Sequence, residues 1–163
     1  MNMKQKILNQ ETMKKKLPSL RRKGQKVAFT NGCFDILHYG HVAYLEKAKK
    51  EGRILIVGLN SDRSIRRIKG PNRPIIPQKY RAALLASLIC VDYVVVFNQD
   101  TPYELIKMLQ PDVLIKGADW KGKGVVGEEI VKNRGGKVEF IHYISGCSTS
   151  TIIQTIARRY AAS

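Results

Sequence analysis

Two histidines flank a glycine in His38-Tyr39-Gly40-His41, just after an apolar stretch that ends in Phe29-Thr30-Asn31-Gly32. Imidazole N–H groups bind phosphate oxygens, and Gly40 leaves the backbone open to close approach. A helix starting at Tyr39 adds its free N–H groups and its macrodipole on the same anion. The spacing predicts a site for the phosphates of a nucleotide. Lys69 is a further phosphate candidate in the acid-free run from Arg63 to Arg81. It competes there with Arg66, Arg67 and Arg73, which residue type alone does not rank. Ser148 and Thr149 offer hydroxyls at another helix start, where they can cap the helix and bind phosphate at once. Asp62 reads equally as a helix cap, Asp35 as a turn former, and His142 and Cys33 as structural residues.

Apolar patterning supplies the elements that must carry these groups. Residues 26–30, 53–59, 92–97, 112–116 and 137–141 read as strands. Tyr39 to Lys50 reads as a helix with Val42, Leu45 and Ala48 on one face. Asn60-Ser61-Asp62 caps a short basic helix, and Pro77 opens a helix to about Leu88. Thr101-Pro102-Tyr103-Glu104 is a capping box before a helix to Gln110. Ser148 caps a last helix ending near Tyr160, and the proline-rich stretch from Gly70 to Pro77 is loop. Strands alternating with helices predict an α/β, Rossmann-like fold: a five-stranded, mostly parallel sheet covered on both faces. Ligands of such sheets lie beyond the carboxyl ends of the strands. His38, Asp62, Gly117 and Asp119 all follow strand ends and are expected to converge on one cleft.

The chain of 163 residues has the size of one domain. Residues 1–22 read as a basic N-terminal extension and 23–163 as the domain proper. The extension and the loop from Lys116 to Gly124 are expected to be flexible. A net charge of +16, from 29 Lys+Arg against 13 Asp+Glu, favours anionic partners. The run from Lys4 to Lys26, with Glu11 as its only acid, reads as a solvated face. Cys33, Cys90 and Cys147 lack Cys-x-x-Cys spacing, which argues against a disulfide framework and a zinc site. No apolar run approaches the roughly 18 residues of a membrane span, and the lysine-rich N-terminus lacks the apolar core of a signal peptide. The chain reads as cytoplasmic, with reduced thiols.

Phe34-Asp35-Ile36-Leu37-His38-Tyr39-Gly40-His41 resembles the signature of the cytidylyltransferase-like nucleotidyltransferase superfamily. Arg81 ahead of Val91-Asp92 fits the same group. Ser148-Thr149-Ser150-Thr151 is similar to its C-terminal Ser-Thr-Thr motif, with a serine for the second threonine. Three further blocks resemble the adenylyltransferases of ADP-heptose synthesis. They are Asn60-Ser61-Asp62 with Ile68-Lys69-Gly70 and Arg73-Pro74; Leu114-Ile115-Lys116-Gly117-Ala118-Asp119; and Gly135-Gly136-Lys137-Val138 leading to Gly146-Cys147-Ser148-Thr149. The likeness runs over about residues 24 to 157.

This resemblance implies transfer of AMP from ATP to D-glycero-β-D-manno-heptose 1-phosphate, giving ADP-heptose and pyrophosphate for lipopolysaccharide core precursors. It implies His38, His41 and Lys69 as catalytic groups. It puts Thr30, Asn31, Gly32, Phe34, Gly40, Arg81, Ser148 and Thr149 on the nucleotide, and Asp35, Asp62, Lys116 and Asp119 on the acceptor. Mg²⁺ is expected to be held mainly by the nucleotide's phosphates, with no protein metal site. The implied partners are ATP, a sugar phosphate, a second copy in a homodimer, and a separate heptose kinase acting upstream. Neither nucleic acid nor membrane is expected.

A sugar phosphate is already a nucleophile at neutral pH, so the reaction needs alignment and relief of anion repulsion more than a base. Two other readings stay open. A glycerol-3-phosphate cytidylyltransferase or FMN adenylyltransferase keeps the chemistry, and Gly117-Ala118-Asp119-Trp120 suits the glycerol-phosphate enzymes nearly as well. A basic nucleic-acid-binding module accords with the charge, but the sequence carries no RNA-binding signature. Trp120 reads equally as a stacking group or as loop packing.

Overall fold

Successive side chains of a strand point to opposite faces of its sheet, and this sequence loads both faces with apolar residues. Val27 and Phe29 of β2 (Lys26–Gly32), Ile54 and Ile56 of β3 (Arg53–Asn60), and Val95 of β4 (Tyr93–Phe97) enter one core. Ala28, Leu55, Val57 and Val94, from the same strands, enter the other. Near-continuous apolar strands of this kind belong inside a parallel sheet. The computed structural model describes residues 2–144 and 146–161 and has that sheet.

Two further strands are β5 (Val113–Gly117) and β6 (Lys137–Ile141), and a short β1 (Ile7–Leu8) completes the order β1-β4-β3-β2-β5-β6. All five pairings are parallel. From β2 the chain winds outward through β3 to β4, then restarts on the other side at β5. The switch point therefore lies between β2 and β5, where such sheets open a ligand crevice. The first core is covered by α2 (Gln10–Arg22), α6 (Tyr103–Leu109) and α7 (Glu128–Lys132). The second is covered by α3 (Tyr39–Ala48) and α5 (Gln78–Ser87). Remaining helices are α1 (Met3–Lys6), α4 (Asp62–Lys69) and α8 (Thr149–Tyr160). No helix among the described residues is long and apolar enough to cross a membrane.

Three expectations are corrected here. The sheet has six strands, because Ile7–Leu8, too short to show a period, pairs with Val94–Val95 at the sheet edge. Residues 2–22 are not a loose arm. Met13, Leu17 and Leu20 recur at helical spacing and are buried in the first core, while Lys14 and Lys15 face solvent. The solvated-face reading holds for those lysines, but the other side of the same helix is core. The capping box at Thr101 also differs: Pro102 is the N-cap of α6 and makes no side-chain cap bond.

Burial of Met13 at 0% exposure makes the N-terminal segment part of the folding unit. Met13→Ala is expected to lower unfolding free energy by about 2–5 kcal/mol, whereas Lys14→Ala changes it by less than about 0.5 kcal/mol. Urea denaturation checks both; equal, negligible effects would show an unattached arm.

Candidate active site

β2 ends at Gly32, and the chain reaches α3 through a short turn with Phe34 in the left-handed region, at φ 44°. A non-glycine residue there is strained unless its surroundings hold it. The buried Phe34 ring packs against His41 at 5.0 Å between centroids. His38 is the N-cap residue of α3, and its carbonyl accepts from the N–H groups of His41 and Val42. The two imidazoles stack at 3.8 Å between centroids. Both Nδ1 atoms are buried without a hydrogen-bond partner among the described residues. Burial, then the neighbouring His38, push His41 down to about 4, and burial lowers His38 too. Two neutral rings thus wait side by side for an anion that favours their charged form.

Gly40 is needed for packing as much as for access. A Cβ there would sit 3.1 Å from both Cys147 Cβ and the Cys147 carbonyl oxygen. That closeness brings the start of α8 against the start of α3. Ser148 caps α8, its hydroxyl accepting from the Thr151 N–H at 3.0 Å. Two helix N-termini therefore open on one cleft of about 720 Å³, with the histidine pair, Ser148 and Thr149 on its wall.

The cations of the wall come from three elements. Lys69 stands at the end of α4, and Arg73 on the following loop. Lys116 rises from β5, 8% exposed, with its ammonium on the Asn31 side-chain oxygen and 5.6 Å from the Trp120 ring centre. Burial lowers Lys116 to about 8, against the pull of nearby Asp119. Of the cations that compete with Lys69, Arg67 lies behind the wall, held by Asp100 and the Asn98 carbonyl, and Arg73 lines the wall itself.

Below the wall lies a layer of buried polar ties. Arg81, 1% exposed, donates from Nε to the Ile76 carbonyl (2.8 Å) and from Nη1 to the Cys33 carbonyl (2.5 Å). Its Nη2 reaches the Asn60 carbonyl (2.9 Å) and Asp62 Oδ1 (2.8 Å). Asp62 also accepts from the Gln78 N–H at 2.8 Å, joining the starts of α4 and α5. The Asp35 carboxylate, fully buried, accepts from Arg73 Nε (2.6 Å) and from the N–H groups of Ile75 (3.0 Å) and Ile76 (2.8 Å). Burial works to raise Asp35, but those three donors outweigh it and hold the carboxyl below its ordinary range.

The structure thus gathers His38, His41, Lys69, Asn31, Gly32, Phe34, Gly40, Ser148, Thr149, Asp35 and Lys116 on one cleft. It does not bring Thr30, Arg81, Asp62 or Asp119 to that wall. Thr30 is buried against the Tyr44 hydroxyl at 2.8 Å, Asp62 accepts from Gln78 and Arg81 of α5, and Arg81 spends its other donors on the carbonyls of Cys33, Asn60 and Ile76. Sequence reasoning missed Asp100 and Thr101, which line the cleft from the loop after β4. The strand-end rule, applied to β4 as to the other strands, points to them. Tyr143, which also lines the cleft, stacks on Tyr44 at 5.4 Å and reads in sequence only as an aromatic after a strand.

Residues 29–155 match the model of a family described as cytidylyltransferase-like. Relatives named bifunctional protein HldE include those of Syntrophotalea carbinolica (54% identical over 95% of this chain and 32% of the relative) and Helicobacter pylori strain J99 (55%, 94% and 34%). That of Nitratiruptor sp. is 58% identical over 83% of this chain and 28% of its own. The chain spans about a third of the length of these curated relatives. Among solved structures, the lipopolysaccharide core biosynthesis protein from Thermoplasma volcanium GSS1 superposes with a TM-score of 0.60. It is 29% identical, over 74% of this chain and 98% of that one.

The lowered His41 has a consequence for stability. The unfolded chain titrates histidine near 6.5 and the folded chain near 4, so between these values the unfolded state binds more protons. Stability is present above pH 6.5 and is lost as pH falls through that window. Urea midpoints are expected to drop from pH 6.5 to 5, and His41→Gln to flatten that drop. An unchanged slope in the variant would place the effect elsewhere.

Proposed function

Because the chain belongs to the cytidylyltransferase-like family, we propose that it is the adenylyltransferase of ADP-heptose synthesis. It transfers AMP from ATP to D-glycero-β-D-manno-heptose 1-phosphate and releases pyrophosphate. The observation that carries the reading is the stacked, unpartnered histidine pair at the mouth of two helix N-termini. Identity above 50% to the HldE relatives supports the choice of substrates. In this reading the acceptor phosphate attacks the α-phosphorus, and the bond to the bridging oxygen of pyrophosphate breaks. His38 and His41 donate to the phosphates as charge moves onto that oxygen. Lys69 neutralises the α-phosphate and the leaving group. Ser148 and Thr149 hold the triphosphate at the α8 start, and Asn31 with Lys116 lies at the switch point. A preorganised site of this kind accelerates by position and electrostatics.

Mg²⁺ fits as a passenger on the nucleotide. Among the described residues no group of three His, Cys, Asp or Glu could hold a metal, and phosphate oxygens with water satisfy that ion. When bound it spreads the charge of the phosphates. Arg81 and Asp62 act on the substrates through the segments they tie together, Thr30 through its bond to Tyr44 of α3, Asp119 through its charge near Lys116, and Asp35 through Arg73 and the 70–77 loop. We further propose a homodimer and a separate kinase that supplies the sugar phosphate, acting in the cytoplasm.

Pyrophosphate release with Mg²⁺, offering ATP, CTP or GTP against heptose 1-phosphate, glycerol 3-phosphate or FMN, tests the reading. Release is expected with ATP and heptose 1-phosphate; release only with another pair would move the protein to a sister activity. His41→Ala is expected to lower kcat by about 10²–10³ or more with the fold retained. Full turnover in that variant would overturn the role of the pair.

A further inference from the structure

The strand order gives the cleft two unlike ends. Beyond β5 and β6 its wall is aromatic and apolar around a single cation, with Trp120, Tyr143 and Ile144 beside Lys116. Beyond β3 and β4, on the other side of the histidine pair, it is polar, with Asn60, Asp100 and Thr101. Asp100 stands out, because a carboxylate in a cleft built for phosphates weakens their binding by like-charge repulsion. Yet it is held in place rather than left to swing. Arg67, outside the cleft wall, donates from Nε to Asp100 Oδ1 at 2.6 Å and also binds the Asn98 carbonyl. The second carboxylate oxygen accepts no hydrogen bond among the described residues. The side chain is 55% exposed, so that oxygen is open to a ligand.

An acid that is fixed, half-satisfied and unsuited to phosphate suits a neutral group rich in hydroxyl donors. Building on the sugar-phosphate reading above, we propose that Asp100, oriented by Arg67 and flanked by Thr101, binds the hydroxyls of the acceptor's polyol. It thereby sets specificity for a sugar over a shorter or less hydroxylated phosphate. The phosphate of the acceptor then faces Lys69 and the histidine pair, and the planar base of the nucleotide takes the apolar end. Arg67 is a positioning residue: it touches no substrate and fixes the carboxylate that does.

Charge alone and hydroxyl binding predict opposite signs. If Asp100 were only an electrostatic neighbour, Asp100→Asn would relieve repulsion and lower KM for ATP and acceptor alike. If it binds hydroxyls, Asp100→Asn and Asp100→Ala raise KM for the sugar phosphate about 10- to 100-fold, the scale of one hydrogen bond to a charged group. KM for ATP then stays within about twofold, and Arg67→Ala produces a weaker shift of the same kind. Steady-state kinetics with ATP and, in turn, heptose 1-phosphate, mannose 1-phosphate and glycerol 3-phosphate separate the cases, and the ATP KM certifies the fold. Turnover of heptose 1-phosphate with an unchanged or lowered acceptor KM in the variants overturns the proposal and leaves the activity standing. Turnover of mannose 1-phosphate only, with a raised KM in the variants, rejects the heptose assignment and upholds Asp100, whereas turnover of glycerol 3-phosphate only overturns both. A wild-type enzyme that uses none of these phosphates overturns both.

Discussion

A single guanidinium holds the walls of the cleft in register. The four ties of Arg81 run to the β2–α3 turn at Cys33, to the end of β3 at Asn60, to the first residue of α4 at Asp62, and to the 70–77 loop at Ile76. Each of those segments carries groups that face the ligand. The turn delivers His38 and His41, α4 delivers Lys69, and the loop delivers Arg73. Taking a charge out of water is costly unless its donors find partners, and here four of the five guanidinium N–H groups have one and every nitrogen is bonded. Asp35 repeats the logic from the other side, anchoring the same loop through two backbone N–H groups and Arg73. The result is a set of anion donors fixed before any substrate arrives, which is the condition under which electrostatic stabilisation is large.

The charge balance of the chain reads differently once the fold is known. Many cations lie on the outer faces, such as Lys14 of α2 and Lys15, which pairs with Glu11 one turn back on the same helix. The cleft itself uses few, and treats each in its own way. Lys69 is exposed at a helix end, Arg73 is tied to a carboxylate, and Lys116 is buried with a lowered affinity for its proton. The histidines start neutral. An incoming triphosphate therefore meets a site whose positive charge is partly latent and is drawn out by the ligand's own field.

Much of this was legible in the residues. The strands of the main sheet announce themselves by apolar runs, and His38 to His41 by types and spacing that few other roles require. Ser148 and the α4 cap at Ser61 follow from side-chain chemistry local to a helix start. Other features leave weaker traces. Met13, Leu17 and Leu20 have clean helical spacing, but the lysines between them hide it in composition. The resemblance implies a nucleotide contact for Arg81, and its bracing role is hidden because its partners are mainly carbonyls of remote segments, which no side-chain pattern records. Asp35 and Asp62 likewise serve backbone N–H groups that only the fold brings near. Asp100 sits where the strand-end rule applies, yet an acid is not what a search for phosphate binders looks for.

The central claim is that Arg81 preorganises the cleft loops as one unit, and amide hydrogen exchange tests it most directly. Arg81→Lys keeps the charge but cannot reach four acceptors. The account predicts that the N–H groups of Ile75, Ile76 and Gln78, held by Asp35 and Asp62, lose protection together, while the β2–β3 ladder keeps its own. Unchanged protection at those three amides in the variant would contradict it.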